Sequence, residues 1–275
     1  MRIYALAVYL FLYIPIGIIA LFSFNAGRHA AQLTGFSVQW YAKALENPFV
    51  IGALKTSFTV ALVSAVLATL CGTMAAVALQ GVRGRARTIY DAALYMAVMV
   101  PGIVIGIATL IALVTVFDAL NPMLARLFGP GAPQLALGKG SLIAAHGMFT
   151  MALVVVIVRA RLQGMDRALL EASADLGAPP MRTFVQVTLP QIAPAVLAGF
   201  LLAFTFSFDD FIIAFFVAGS ETTLPIYVFS SIRRGVTPEI NAISTILVAI
   251  VTVAVLTASL AFKTNLLTGG TTARR

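Results

Sequence analysis

Residues 166–190 read Asp166-Arg167-Ala-Leu-Leu-Glu171-Ala172-Ser173-Ala-Asp-Leu-Gly177-Ala-Pro179-Pro180-Met-Arg-Thr-Phe-Val-Gln-Val-Thr-Leu189-Pro190, a polar and strongly punctuated stretch inside an otherwise apolar chain. Asp166 has the side chain and position of a helix N-cap, and Leu169, Leu170 and Leu176 form one face of a short helix over 167–176. Gly177 suits a left-handed helix stop, and Pro179-Pro180 prevents continuation. A second short helix is predicted from Met181 to Val187, ended by Pro190. An amphipathic helix–turn–helix of this kind either lies flat on lipid headgroups or docks into a groove on a soluble partner. Composition divides evenly between the two.

The surroundings of this stretch place it at a membrane. Of 275 residues, 60% are hydrophobic and only 10% charged. Soluble domains carry about 25% charged residues, so this chain cannot clothe itself in a solvated surface. A spanning helix needs about 20 mostly apolar residues. Stretches of that kind are Ile3–Phe24, Thr56–Leu79, Ala92–Phe117, Ser141–Val158, Pro194–Ala218 (interrupted by Asp209 and Asp210) and Ile240–Phe262. The first is too long for the apolar region of a typical signal peptide and reads as a retained anchor.

The basic residues set the orientation. With the N-terminus inside, inner segments hold Arg2, Arg83, Arg85, Arg87, Arg159, Arg161, Arg167, Arg182, Lys263, Arg274 and Arg275, eleven of the 18 Lys and Arg. Arg28, Lys43, Lys55, Arg126, Lys139, Arg233 and Arg234 fall outside. The inner excess favours an N-in, C-in chain and puts residues 159–193 on the inner face. The net charge of +8 is therefore an orientation signal rather than a nucleic-acid footprint, because the cations form no single stripe. Arg83–Arg87 reads first as a topology determinant, with contact to anionic lipid or a soluble subunit as the alternative.

Other signals are weaker. Gly102 and Gly106 form a G-x-x-x-G step for close helix packing, and Pro101 is expected to kink the third span. Trp40 and Tyr41 read as membrane-interface anchors. His146 reads as a helix–helix hydrogen bond ahead of a proton relay. One cysteine, Cys71, permits no intrachain disulfide, and two histidines offer no metal cage. No nucleophile–base pair marks a catalytic site. No G-x-x-x-x-G-K-[ST] phosphate loop occurs, so no nucleotide cofactor is expected on this chain.

Asp209 and Asp210 are costly where they stand: a carboxylate at a helix centre costs about 2.5–3.5 kcal/mol, less toward the interface. One reading makes them a cation-attracting element near the outer end of the fifth span. The other pairs them with Arg233 or Arg234.

Here the sequence resembles a family. ABC-importer permeases carry a loop of Glu-Ala-Ala, three residues, Gly, nine residues, then Ile-x-Leu-Pro. The chain has Glu171-Ala172-Ser173, Gly177, Val187 and Leu189-Pro190 at that spacing, with Ser173 for Ala and Val187 for Ile. The resemblance covers about 52–262 and implies an all-α polytopic membrane helix bundle of six transmembrane helices with the ABC type-1 permease fold. Residues 1–51 then supply an additional first span and outer loop, and 263–275 a cytoplasmic tail. It further implies that this loop docks on an ATPase dimer, which binds the ATP and magnesium, and that a second, paralogous permease and an extracytoplasmic solute-binding protein complete the importer. The setting implied is membrane lipid of the bacterial cytoplasmic membrane, and transport by alternating access, with no nucleic acid involved.

Phe208-Asp209-Asp210-Phe211, Thr223-Leu224-Pro225, Arg234-Gly235-Val236 with Pro238, Ile240-Asn241-Ala242 and Met165-Asp166 are similar to the second permease subunit of spermidine/putrescine importers. That resemblance implies a polyamine substrate and a role for Asp209 and Asp210 along its path. The rival readings are an ABC permease for another small solute, amino-acid-like or phosphonate, and a secondary transporter that uses Asp209 as its coupling acid.

Overall fold

The computed structural model describes residues 2–27, 32–129, 131–235 and 237–269; Arg28, Val236, Arg274 and Arg275 lie outside them. Helices account for nearly all of it: α1 (Arg2–Ser23), α2 (Gln39–Glu46), α3 (Pro48–Ala78), α4 (Gly84–Met99), α5 (Gly102–Phe128), α6 (Lys139–Gln163), α7 (Arg167–Asp175), α8 (Pro180–Thr183), a π turn (Phe184–Thr188), α9 (Leu189–Asp209), α10 (Ile212–Val217), α11 (Leu224–Arg234) and α12 (Pro238–Gly269). Five stretches are long and apolar enough to cross a membrane: Ile3–Ser23, Pro48–Ala78, Gly102–Phe128, Lys139–Gln163 and Pro180–Asp209. A shorter apolar stretch, Pro238–Val253, lies in α12, which continues to Gly269. Five of the six expected spans are therefore present with shifted ends, and the sixth corresponds to the shorter apolar stretch of α12.

The third span needs the largest correction. Pro101 does not kink one helix; it separates two, α4 and α5. The ring of a proline forces the preceding residue out of the helical region, and Val100 is extended, with ψ 133°. The spanning helix therefore begins at Gly102, while α4, with Arg85, Arg87 and Asp91, is a separate helix before it.

The fifth span is corrected at its start. Pro190 does not end a short helix. From Pro180 to Asp209 the chain is one helical run of 30 residues. Proline in a helix lacks a donor and presses on the carbonyl four residues back. Widening Phe184–Thr188 to a π turn, in which Leu189 N donates to Phe184 O, accommodates Pro190 without a break.

The chain forms two compact units, one of residues 1–51 and 228–275, the other Gly52–Tyr227. In the first, α1 and α2 pack on α12. Trp40 is not an interface anchor here, and Tyr41 is half-buried. Trp40 is buried and its indole N–H donates to Asn25 O at 2.8 Å, while Tyr41 Oη lies 2.6 Å from Ser23 Oγ. A buried indole needs a partner for its N–H, and the turn after α1 supplies it.

In the second unit, α6 and α9 pack along each other. Val154, Val155, Val158, Leu162, Ile192 and Ala203 fill one core, with Ala65 and Ala68 of α3. A second core joins Val60, Leu142 and Ala145 to Ile213, Ala214 and Val217 of α10. The Gly102–Gly106 step does serve close packing, but its partner is the short α10. A Cβ at Gly106 would lie 2.7 Å from the Phe216 ring and 3.4 Å from Ile213 Cα. Large apolar side chains cover the outside of α1 and α5, as expected of surfaces that face lipid or other membrane helices.

Candidate functional site

Two regions of the second unit carry the sequence-marked residues, one at each end of α9. At the inner end, α7 begins as expected: Asp166 Oδ1 accepts from Ala168 N at 2.9 Å. Gly177 ends it with φ +72°, and its N–H reaches Ala174 O at 2.8 Å. Ser173 Oγ and Thr183 Oγ1, 2.8 Å apart, tie α7 to α8. Glu171, Ala172, Gly177, Leu189 and Pro190 are all exposed, and Ser173 is half-buried. Leu176 is 87% and Met181 72% exposed. Two large apolar side chains at the tip of a polar loop form a surface that water disfavours and that a partner groove would cover.

Behind α7 lies a cavity of about 460 Å³ lined by Arg83, Arg87, Arg159, Leu170, Glu171 and Thr188. Arg159 forms a two-pronged ion pair with Asp91 of α4; its second prong, Nη2 to Oδ2, measures 3.2 Å. Arg87 adds a longer contact of 3.9 Å to the same carboxylate. The Arg159 hydrogen bond holds the Asp91 carboxyl below its usual range, against a smaller opposing effect of burial. This pair tethers α4 to the inner end of α6. The sequence alone marks Arg159 as an orientation charge and Arg87 as that or a lipid or subunit contact, and gives no role to Asp91. An acid immediately before an apolar run, with a base closing another, was the signal.

At the other end of α9 the two acids part company. Asp209 is the last residue of the helix, exposed, and without a cationic partner among the described residues. Asp210 is extended, turns inward and accepts from Ala214 N at 2.9 Å, fixing the start of α10. Its Oδ2 lies 3.5 Å from Nε2 of His146, which is buried on α6. His146 Nδ1 in turn lies 2.7 Å from Ser207 Oγ. The expected helix–helix hydrogen bond of His146 is thus present, with Ser207 as partner, and Asp210 stands beside the ring as a second neighbour. The helix ends between them: Asp209 keeps its helical position while the extended backbone of Asp210 turns its carboxylate inward, which is how neighbouring aspartates reach such different surroundings. Nothing in the sequence distinguished Asp209 from Asp210.

Beyond α10, Glu221 stands between Lys139 Nζ at 3.7 Å and Thr56 Oγ1 at 3.5 Å. The sequence reading gave Glu221 no role. No group of three or more metal-ligating side chains occurs among the described residues.

A membrane bundle with a punctuated inner loop feeding directly into a span is the frame of an importer permease. Residues 68–267 match the family described as binding-protein-dependent transport system inner membrane component, and the chain belongs to that family. It is 38% identical over 255 residues, covering 92% of this chain and 90% of the relative, to the spermidine/putrescine transport system permease protein PotC of Escherichia coli strain K12. It is 37% identical over 243 residues, covering 88% and 83% respectively, to the putrescine transport system permease protein PotI of the same strain. Among solved structures, a chain of a bacterial ABC transporter involved in import of the acidic polysaccharide alginate aligns with a TM-score of 0.71 at 15% identity, over 95% of this chain and 93% of that one. An amino acid ABC transporter with histidines aligns at 0.54 and 17% identity, over 83% and 100%. The structural likeness places the fold among ABC-transporter membrane subunits.

Proposed function

We propose that this chain is the permease subunit of an ATP-driven importer of small polycations, with spermidine and putrescine as its substrates. What carries the reading is Asp209, an exposed carboxylate at the end of a spanning helix. In a chain this apolar, leaving an ionised group unpaired has a cost that a cationic passenger offsets. The likeness to the spermidine/putrescine permeases over about nine-tenths of the chain supports the same substrate class.

The work then divides along α9. Glu171, Ala172, Ser173 and Gly177, with Leu189 and Pro190 at the root of the span, form the docking element for an ATPase dimer. ATP and magnesium bind on that dimer. The exposed Leu176 and Met181 enter the ATPase groove, and closure of the groove moves α8, which is continuous with α9. A second permease completes the path, and an extracytoplasmic binding protein delivers the substrate to the end that carries Asp209. The chain sits N-in, C-in in a bacterial cytoplasmic membrane. Asp209 meets the cation, while Asp210, held by the Ala214 N–H and lying beside His146, keeps α10 in place.

The test is the ATPase activity of the complete complex in proteoliposomes, with its binding protein, across putrescine, spermidine and neutral solutes of similar length. Polyamines should stimulate hydrolysis and be taken up. Stimulation by neutral solutes alone would refute the substrate assignment.

A further inference from the structure

The turn after α10 is built more rigidly than a loop tip requires. Gly219 has φ +59°, and a Cβ there would lie 2.4 Å from the Leu137 carbonyl oxygen, so the turn presses its backbone directly on the segment leading into α6. Ser141 Oγ donates to Val217 O at 2.7 Å, and Leu224 N donates to Ser57 Oγ at 2.8 Å. These contacts clamp the turn on both sides of Glu221 and hold it against α3 and the start of α6.

What meets Glu221 in this frame is chemically telling. Lys139 Nζ is 3.7 Å away, with the lysine side chain 54% and the glutamate 30% exposed. A lysine head is a primary alkylammonium, the same group that ends putrescine and spermidine. An exposed pair of this kind is worth only about 0–1 kcal/mol, so an ammonium from solution can displace it. Thr56 Oγ1 lies 3.5 Å from the same carboxylate and donates to it.

We propose that Glu221 is a substrate-binding carboxylate that accepts an ammonium group of the polycation, and that Lys139 is its resident competitor. The inference rests on the polyamine reading above. Glu221 and Asp209 flank α10, whose six residues rise about 9 Å, so an extended cation with several charges meets more than one carboxylate as it advances. The lysine keeps the station from holding its occupant: as the substrate moves on, Lys139 returns to Glu221. A transport site must bind well enough to admit and weakly enough to release.

The experiment compares spermidine uptake at limiting concentration by the complete complex in proteoliposomes. Glu221→Gln should lower uptake about threefold and Lys139→Gln raise it about threefold, the equivalent of roughly 0.6 kcal/mol. The double variant should behave as Glu221→Gln. A merely structural ion pair would make both single variants fall together, and that result, or no change in either, overturns the inference. In the unmodified complex, spermidine should speed acylation of Lys139 by an amine-reactive reagent, whereas a neutral solute should not. A rate insensitive to spermidine also overturns it, whatever the fate of the variants. If the unmodified complex carries no polyamine, the substrate reading fails and takes this inference with it. If it does carry polyamine, failure of the charge swap sinks the inference alone.

Discussion

The two ends of α9 are made by different means. At the inner end, conformation is set by backbone: a capping aspartate two residues from its partner, a glycine at φ +72°, a proline and a π turn. The side chains there are mostly exposed and the loop offers them outward. At the other end, conformation is set by side chains from distant parts of the chain: His146 beside Ser207 and Asp210, Lys139 beside Glu221, and Ser57 under Leu224 N. The first arrangement gives a fixed shape with a free surface, suited to meeting a partner. The second gives polar groups whose partners can be exchanged, suited to handling charge. The contrast teaches that one helix can join a rigid key to a polar station without either resembling the other.

The strongest way to break this contrast is at Gly177. A Cβ there would meet nothing within 4 Å, so a substitution acts only through backbone conformation. Gly177→Pro cannot hold φ +72° and also loses the N–H that reaches Ala174 O. Uptake should fall by more than about tenfold, a cost of about 3 kcal/mol in the wrong conformation being ample, while the subunit still inserts. Gly177→Ala costs about 1–2 kcal/mol in the left-handed conformation and should retain more uptake than the proline variant. Normal uptake by the proline variant would mean that the shape of this loop is irrelevant to transport.

Next come the two aspartates, which should fail differently. Asp209→Asn should cut spermidine uptake severalfold with the amount of assembled complex unchanged. Asp210→Asn weakens the hydrogen bond that starts α10 and removes the charge beside His146, a loss on the order of 1–2 kcal/mol, and should lower the melting temperature of the complex. Equal effects on assembly from both variants would erase the division of labour.

How much of this was legible beforehand follows the same contrast. Asp166, Gly177 and the helix between them could be read directly, because a cap and a left-handed stop are local and need only nearby residues. Asp209 and Asp210 stood out as acids in an apolar run, but their separate fates depend on His146, 64 residues before Asp210. Glu221 was invisible for the same reason: Lys139 and Thr56 lie on other helices. The sequence points to the stop at Pro179-Pro180 correctly, but not to the helix ends at two other prolines. Pro101 was expected to bend and instead breaks, while Pro190 was expected to stop and is instead absorbed. Local sterics explain each outcome, but choosing between them depends on what the flanking helices pack against.

A smaller effect is expected at Asp91. Because Arg159 holds its folded-state carboxyl below the ordinary value of about 3.9, its stabilising contribution is complete above that value and fades as the pH falls through the lowered one. Melting of the detergent-solubilised complex should therefore steepen its pH dependence only on the acid side. Asp91→Asn should flatten that acid-side loss; an identical profile would show that α4 is held by other contacts. The smallest effect is Ser173→Ala, which removes one hydroxyl contact to Thr183 and should cost no more than about 1 kcal/mol, with uptake nearly unchanged. A large loss there would mean that the α7–α8 angle, rather than the turn at Gly177, limits transport.

The uninterrupted run from Pro180 to Asp209 has a mechanical consequence. Thirty helical residues make a rod of about 45 Å, stiff along its axis because stretching it would break hydrogen bonds at every turn. A displacement applied at its root therefore arrives at its far tip without any relay of side chains. A compliant joint lies at the widened turn at Phe184–Thr188, where a peptide more than the α-helix needs is stored. Taking up or releasing that extra peptide would twist the rod about its own axis by about 100°, a rotation rather than a push. A thrust along the rod and a twist about it are thus two distinct movements that a single helix with one slack turn can deliver to Asp209.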